Sequence, residues 1–119
     1  MQIIKQVKTI ALGLALSLAG WSVNAEVIEI ATFKLKEGVS AEQFAPLDKA
    51  VEVDHVSKQP GFLSRETAYS EDGVWLVVVH WASIEDADAS MNSFMGAPAA
   101  ANFMSHLDAE TMSMKRYQK

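Results

Sequence analysis

One stretch limits what this chain can become: Val74–Trp81, Val-Trp-Leu-Val-Val-Val-His-Trp. Four Val and two Trp among eight residues favour a β-strand, and eight residues are too few to cross a bilayer. Side chains alternate along a strand. Trp75, Val77, Val79 and Trp81 therefore share one face, and Val74, Leu76, Val78 and His80 share the other. Both faces are apolar, so both need cover. A chain of 119 residues has helices enough for one of them. The second face requires a partner subunit or a ligand.

The flanking sequence supplies the rest of a small α+β domain. Val27–Leu35 alternates in part and reads as a first strand, followed by a turn at Lys36-Glu37-Gly38. Ser40 with Gln43 three residues on makes a capping box. It opens a helix to about Lys58 whose apolar stripe is Phe44, Leu47, Val51 and His55. Gln59-Pro60-Gly61 stops that helix. Phe62–Ser70 is a second strand, joined by the tight turn Glu71-Asp72-Gly73 to the third, Val74–Trp81. Ser83 caps a second helix with the stripe Ile84, Ala87, Met91 and Phe94, which ends at Gly96-Ala97. Pro98 starts a short helix with Ala100, Phe103, Met104 and Leu107 on one side. Thr111–Gln118 is a fourth strand. The order β-α-β-β-α-β is the ferredoxin-like split plan, an antiparallel sheet with helices on one face. Right-handed crossovers put strands 1 and 3 at its centre.

Residues 1–25 have the pattern of a signal peptide: Lys5 and Lys8, the apolar run Thr9–Gly20, then Val23-Asn24-Ala25. The expected mature domain, residues 26–119, is periplasmic or secreted. It keeps 8 basic and 15 acidic residues, a net charge of −7, which argues against nucleic acid and anionic membrane as partners. There is no Cys, which excludes disulfides, a thiol nucleophile and a lipidated Cys.

Phe33-Lys-Leu-Lys-Glu-Gly38, Pro60-Gly61-Phe62, Trp75 to Trp81 with Ala82–Ala87, and Ala97-Pro98 resemble the antibiotic biosynthesis monooxygenase-like group of dimeric α/β barrels. The resemblance spans nearly all of residues 26–119. It implies a homodimer whose two sheets form a barrel, with a pocket between sheet and helices in each subunit. Some members of that group are cofactor-independent monooxygenases on quinol-like aromatics, and others degrade haem. Ala31 stands where the haem-degrading members carry an Asn, and Ala99 where many members carry a His. Ala31, and the lack of a match for the late-helix His of the haem-degrading members, since His106 lies further along, argue against haem degradation; Ala99 weighs against the monooxygenase reading without removing it. No cofactor is expected.

Two functions stay open. One is a cofactor-independent monooxygenase-type enzyme on a small aromatic or quinol-like compound. The other is a non-catalytic homodimer that binds a small hydrophobic molecule or serves in stress. The enzyme reading needs a base, for which His80 and His55 are the candidates. It also needs aromatic walls, for which Trp75, Trp81 and Phe103 are the candidates. Arg65, if it faces inward, could hold an anionic substrate group. Each has a structural alternative: a satisfied core histidine, a packing aromatic, an edge-strand charge. Trp81 and His80 point to opposite faces, so they cannot line one pocket together. His106 reads as solvent-facing. No two of His55, His80, His106 and Asp108 show a short ligand spacing, so no metal site is expected. Met91, Met95, Met104, Met112 and Met114 fall at expected core positions, with a Met-lined pocket as the sharper alternative.

Overall fold

The computed structural model describes residues 25–119. The leader expected over residues 1–25 lies outside them except for Ala25. The described chain runs β1 (Val27–Leu35), α1 (Ala41–Asp54), a 3₁₀ turn (Val56–Lys58), β2 (Phe62–Tyr69), β3 (Val74–Trp81), α2 (Ile84–Phe94), α3 (Pro98–Ser105) and β4 (Leu107–Gln118). The sheet order is β2-β3-β1-β4, with every neighbouring pair antiparallel. This is the ferredoxin-like arrangement, with β1 and β3 central. No helix among the described residues is long and apolar enough to cross a membrane.

Local signals explain the element ends. The Ser40 side chain accepts from the Gln43 amide at 3.1 Å, and the Gln43 side chain accepts from the Ser40 amide at 2.9 Å. Two orphan donors of α1 are thereby satisfied. At α2 the Ser83 hydroxyl oxygen accepts from the Asp86 amide at 3.1 Å. Pro98 occupies the first turn of α3. Gly61 enters β2 at φ +81°, and a Cβ there would meet Asp86 at 2.1 Å. Only glycine fits both the left-handed backbone and that close approach.

Two boundaries differ from the sequence expectation. Helix α1 ends at Asp54, and Val56–Lys58 tightens into a 3₁₀ turn. Strand β4 begins at Leu107 rather than Thr111, so Leu107 is a strand residue and not part of the α3 stripe. Leu107 and Asp108 pair with Leu35 and Lys34, and the register then slips before Ser113 meets Thr32. The Lys34 amide is satisfied across this bulge by the Thr111 hydroxyl at 2.8 Å. A bulge adds residues to one strand only, which breaks the alternation that marks a strand in sequence.

The helices pack on the face that carries Val27, Ala31 and Phe33 of β1 with Trp75, Val77, Val79 and Trp81 of β3. Edge-to-face aromatic contacts tie the layers together. Phe44 of α1 lies 4.9 Å from Trp75, and Phe103 of α3 lies 5.6 Å from Phe33, centroid to centroid. Such pairs contribute roughly 0.5–1.5 kcal/mol beyond their buried area. The opposite face carries Ile28, Ile30, Val74, Leu76, Val78 and His80, all half-buried.

Candidate functional site

A pocket of about 190 Å³ lies between the sheet and the helices. Its floor is the inward face of the sheet. Its walls come from α1, α2, α3 and the inward side of β4. The register sets the floor out in rows. Arg65, Val79, Glu29 and Arg116 stand opposite one another on β2, β3, β1 and β4. Thr67, Val77, Ala31 and Met114 form the next row. The lining is almost wholly apolar, and its polar side chains are Glu29, Arg65 and Ser90.

All five methionines among the described residues line this pocket: Met91 on α2 and Met95 at its C-cap, Met104 on α3, Met112 and Met114 on β4. Packing alone does not account for them, since Met95 is 67% exposed and Met91 and Met114 are also exposed. These three line the pocket and also reach solvent. Thioether chains adapt to irregular ligands, so this wall can reshape around what it holds.

Glu29 is the residue that sequence reasoning missed. It is only 8% exposed. Arg116 is its direct cross-strand partner, so the two side chains stand side by side on one face. The Arg116 Nε donates to Glu29 Oε2 at 2.8 Å. A second Arg116 nitrogen donates to Asp88 on α2. The Trp81 indole N–H, one diagonal step away, donates to Glu29 Oε1 at 3.3 Å. Opposing demands shift the Arg116 guanidinium: burial disfavours its charge, but its carboxylate bonds prevail and raise its pKa. The available signal was parity, because Glu29 is two residues from Val27 and Ala31 on one strand face.

The expected site residues divide. Trp81, Phe103 and Arg65 line the pocket, while Trp75, His55 and His80 do not. Arg65 faces inward but is not free for an anion. Its two terminal nitrogens donate to the two Asp48 oxygens at 2.8 Å each, and one also reaches Glu52 at 3.3 Å. This bidentate clamp pairs the guanidinium charge with a buried carboxylate and takes three of its five N–H donors. Trp75 packs against Phe44 and Tyr69, and its indole N–H has no hydrogen-bond partner among the described residues.

His80 lies on the far side of the sheet, because strand parity sends it away from Trp81. Its Nδ1 pairs with Glu26 Oε2 at 2.9 Å, and Lys119 lies 3.5 Å from the same oxygen. The His80 bond, supported by Lys119, holds the Glu26 carboxyl below its ordinary range. His55 is buried at the end of α1, with Nε2 2.8 Å from the Ser93 hydroxyl and its ring edge-on to Phe94. Burial pushes its pKa down, so it stays neutral near pH 7. His106 is half-buried, and its Nδ1 bonds the Asn102 carbonyl at 2.7 Å. Among the described residues, no three of His, Asp and Glu group as a metal site.

No family model and no curated protein matches the sequence. Solved structures do match the fold. SnoaB, a cofactor-independent oxygenase from Streptomyces nogalater, is 14% identical with a TM-score of 0.65, over 80% of this chain and 93% of that one. A candidate antibiotic biosynthesis monooxygenase from Caulobacter crescentus is 18% identical with a TM-score of 0.66, over 82% and 92%. A conserved protein from Methanosarcina mazei is 13% identical with a TM-score of 0.63, over 82% and 95%. The chain thus has the ferredoxin-like fold of the antibiotic biosynthesis monooxygenase-like proteins.

Proposed function

We propose that the sheet–helix pocket binds a small aromatic compound and supports cofactor-independent oxygenase chemistry on it. The observation that carries this reading is the pocket itself: about 190 Å³, apolar, with aromatic walls at Trp81 and Phe103 and one carboxylate at its floor. A cavity of about 150 Å³ holds benzene, so one substituted ring fits inside and the rest of a larger substrate leaves past the methionines. In such a reaction the substrate supplies the electrons. A quinol is oxidised to a hydroxyquinone: one ring C–H becomes C–OH with one oxygen atom of O₂, and the second oxygen atom leaves in water with the two hydrogens the quinol gives up. The protein contributes a dry, shaped site and orientation. SnoaB, named as a cofactor-independent oxygenase, shares the fold, which raises the prior for this chemistry without deciding it.

One observation favours a second reading. Among the described residues no histidine lines the pocket, so the imidazole base of an oxygenase is missing and a hydrophobic-ligand binder fits as well. Oxygen uptake by the purified protein with a quinol panel separates the two. Uptake above background that is blocked by an inert aromatic competitor supports the enzyme. Ring binding without uptake supports the binder.

The same reading takes the protein as a homodimer joined through the face of Ile28, Ile30, Leu76 and Val78. A sheet face this apolar gains about 25 cal/mol per Å² on burial. Sedimentation of a monomer at micromolar concentration would overturn that assignment. Export rests on the pattern of residues 1–25, and a protein beginning at Glu26 in periplasm or medium is the expected mass-spectrometric result.

A further inference from the structure

We infer that Glu29 is the receptor for a ligand hydroxyl, so that the pocket selects neutral hydroxyarenes and rejects aromatic carboxylates. This rests on the pocket being the binding site, but not on its carrying out oxidation.

The first ground is unused acceptor capacity. An ionised carboxylate offers about four lone-pair directions. Glu29 receives one short bond, from Arg116 at 2.8 Å, and one long bond, from Trp81 at 3.3 Å. The carboxylate lines a cavity whose other walls are nearly all apolar. Each oxygen has one partner, and a bound hydroxyl is the group that would take up a remaining lone-pair direction on the cavity side.

The second ground is charge. Arg65, which lines the cavity, and Arg116, which holds Glu29 from beside it, are the nearest cations, and their partners are the carboxylates Asp48, Glu52, Glu29 and Asp88. Neither cation is left unpaired, and carboxylates outnumber them. A ligand carboxylate entering here would lose water and meet net negative charge. A neutral O–H donor avoids that cost. Arg116 does not line the cavity and acts as a positioning residue, holding Glu29 Oε2 so that Oε1 stays beside Trp81.

The test is a binding panel read by ligand-observed NMR on the full protein: 4-ethylphenol, 4-ethylanisole and 4-ethylbenzoate. A hydrogen bond to a charged acceptor predicts a preference on the order of 10–100-fold for the phenol over the anisole. The benzoate should bind more weakly than the phenol. In Glu29→Gln the amide is expected to keep its carbonyl on Arg116 and turn its NH₂ to the cavity. The preference for phenol over anisole then collapses or reverses. Equal affinity for phenol and anisole in the wild type, or tighter binding of benzoate than of phenol, overturns the inference even if Glu29→Gln does not fold. A folded Glu29→Gln that keeps the wild-type preference also overturns it. Oxygen uptake is measured separately. Phenol selectivity without uptake removes the oxygenase and leaves Glu29 in its role.

Discussion

Replacing Arg65 by Met separates a brace from a receptor. The Arg65 side chain is 2% exposed and its partner Asp48 is 4% exposed as a residue. Both Asp48 oxygens are held by Arg65 at 2.8 Å. Removing the guanidinium leaves a buried carboxylate with no countercharge, a loss worth about 3–5 kcal/mol. Glu52 loses only a 3.3 Å contact and is nearer to solvent, so it adds little. In a domain of this size each kcal/mol moves the melting midpoint by about 4–8 °C. Arg65→Met should therefore fall by roughly 12–40 °C. The double variant Arg65→Met/Asp48→Leu removes both charges, and its stability should return to within about 1–2 kcal/mol of wild type or exceed it. Urea denaturation at fixed protein concentration and pH 7 measures all three. An Arg65→Met protein as stable as wild type would refute the reasoning. So would a fully stable variant that had lost affinity for benzoate, because Arg65 would then be an anion receptor.

Four further outcomes are expected. Burial lowers the His55 pKa, so the unfolded chain binds more protons than the folded one between that value and about 6.5; stability should be full above about pH 6.5, fall as pH drops through the depressed pKa, and lose that component of its slope in His55→Gln, as urea titrations at several pH values would show. Gly61→Ala places a Cβ 2.1 Å from Asp86 at φ +81° and should cost upwards of about 1–3 kcal/mol, read as a lower melting temperature. Dilute peroxide should convert Met95, the most exposed methionine among the described residues, to its sulfoxide before Met104 and Met112, and the polar wall that results should weaken 4-ethylphenol binding; peptide mass spectrometry and NMR titration follow both steps. His80→Ala should leave phenol affinity within about twofold, since His80 and the pocket lie on opposite sides of the sheet; a larger loss would mean the ligand occupies the other face.

Local chemistry decided most of the fold. The capping box at Ser40, the stop at Gln59-Pro60-Gly61, the turn at Gly73 and the apolar run Val74–Trp81 each act within a few residues, where sequence neighbours are also neighbours in space. Together they admit the β-α-β-β-α-β order and little else. The parity of Val74–Trp81 also separates His80 from Trp81, because alternation is a covalent property of an extended chain. The site did not follow in the same way. Whether Val27, Glu29, Ala31 and Phe33 or Ile28, Ile30 and Thr32 face the helices depends on how β1 registers against β3 and β4, and both sets are apolar enough for either. Only the pairing of Glu29 with Arg116, 87 residues apart, shows why a carboxylate can stand among the inward residues. The same holds for Arg65, whose role is set by Asp48 on a helix packed above it. The methionines read as core filling because each sits on an apolar stripe. Tertiary packing alone brings the stripes of α2, α3 and β4 around one cavity and leaves them at its rim, because a side chain's periodicity fixes its direction and only the arrangement of elements fixes what it faces.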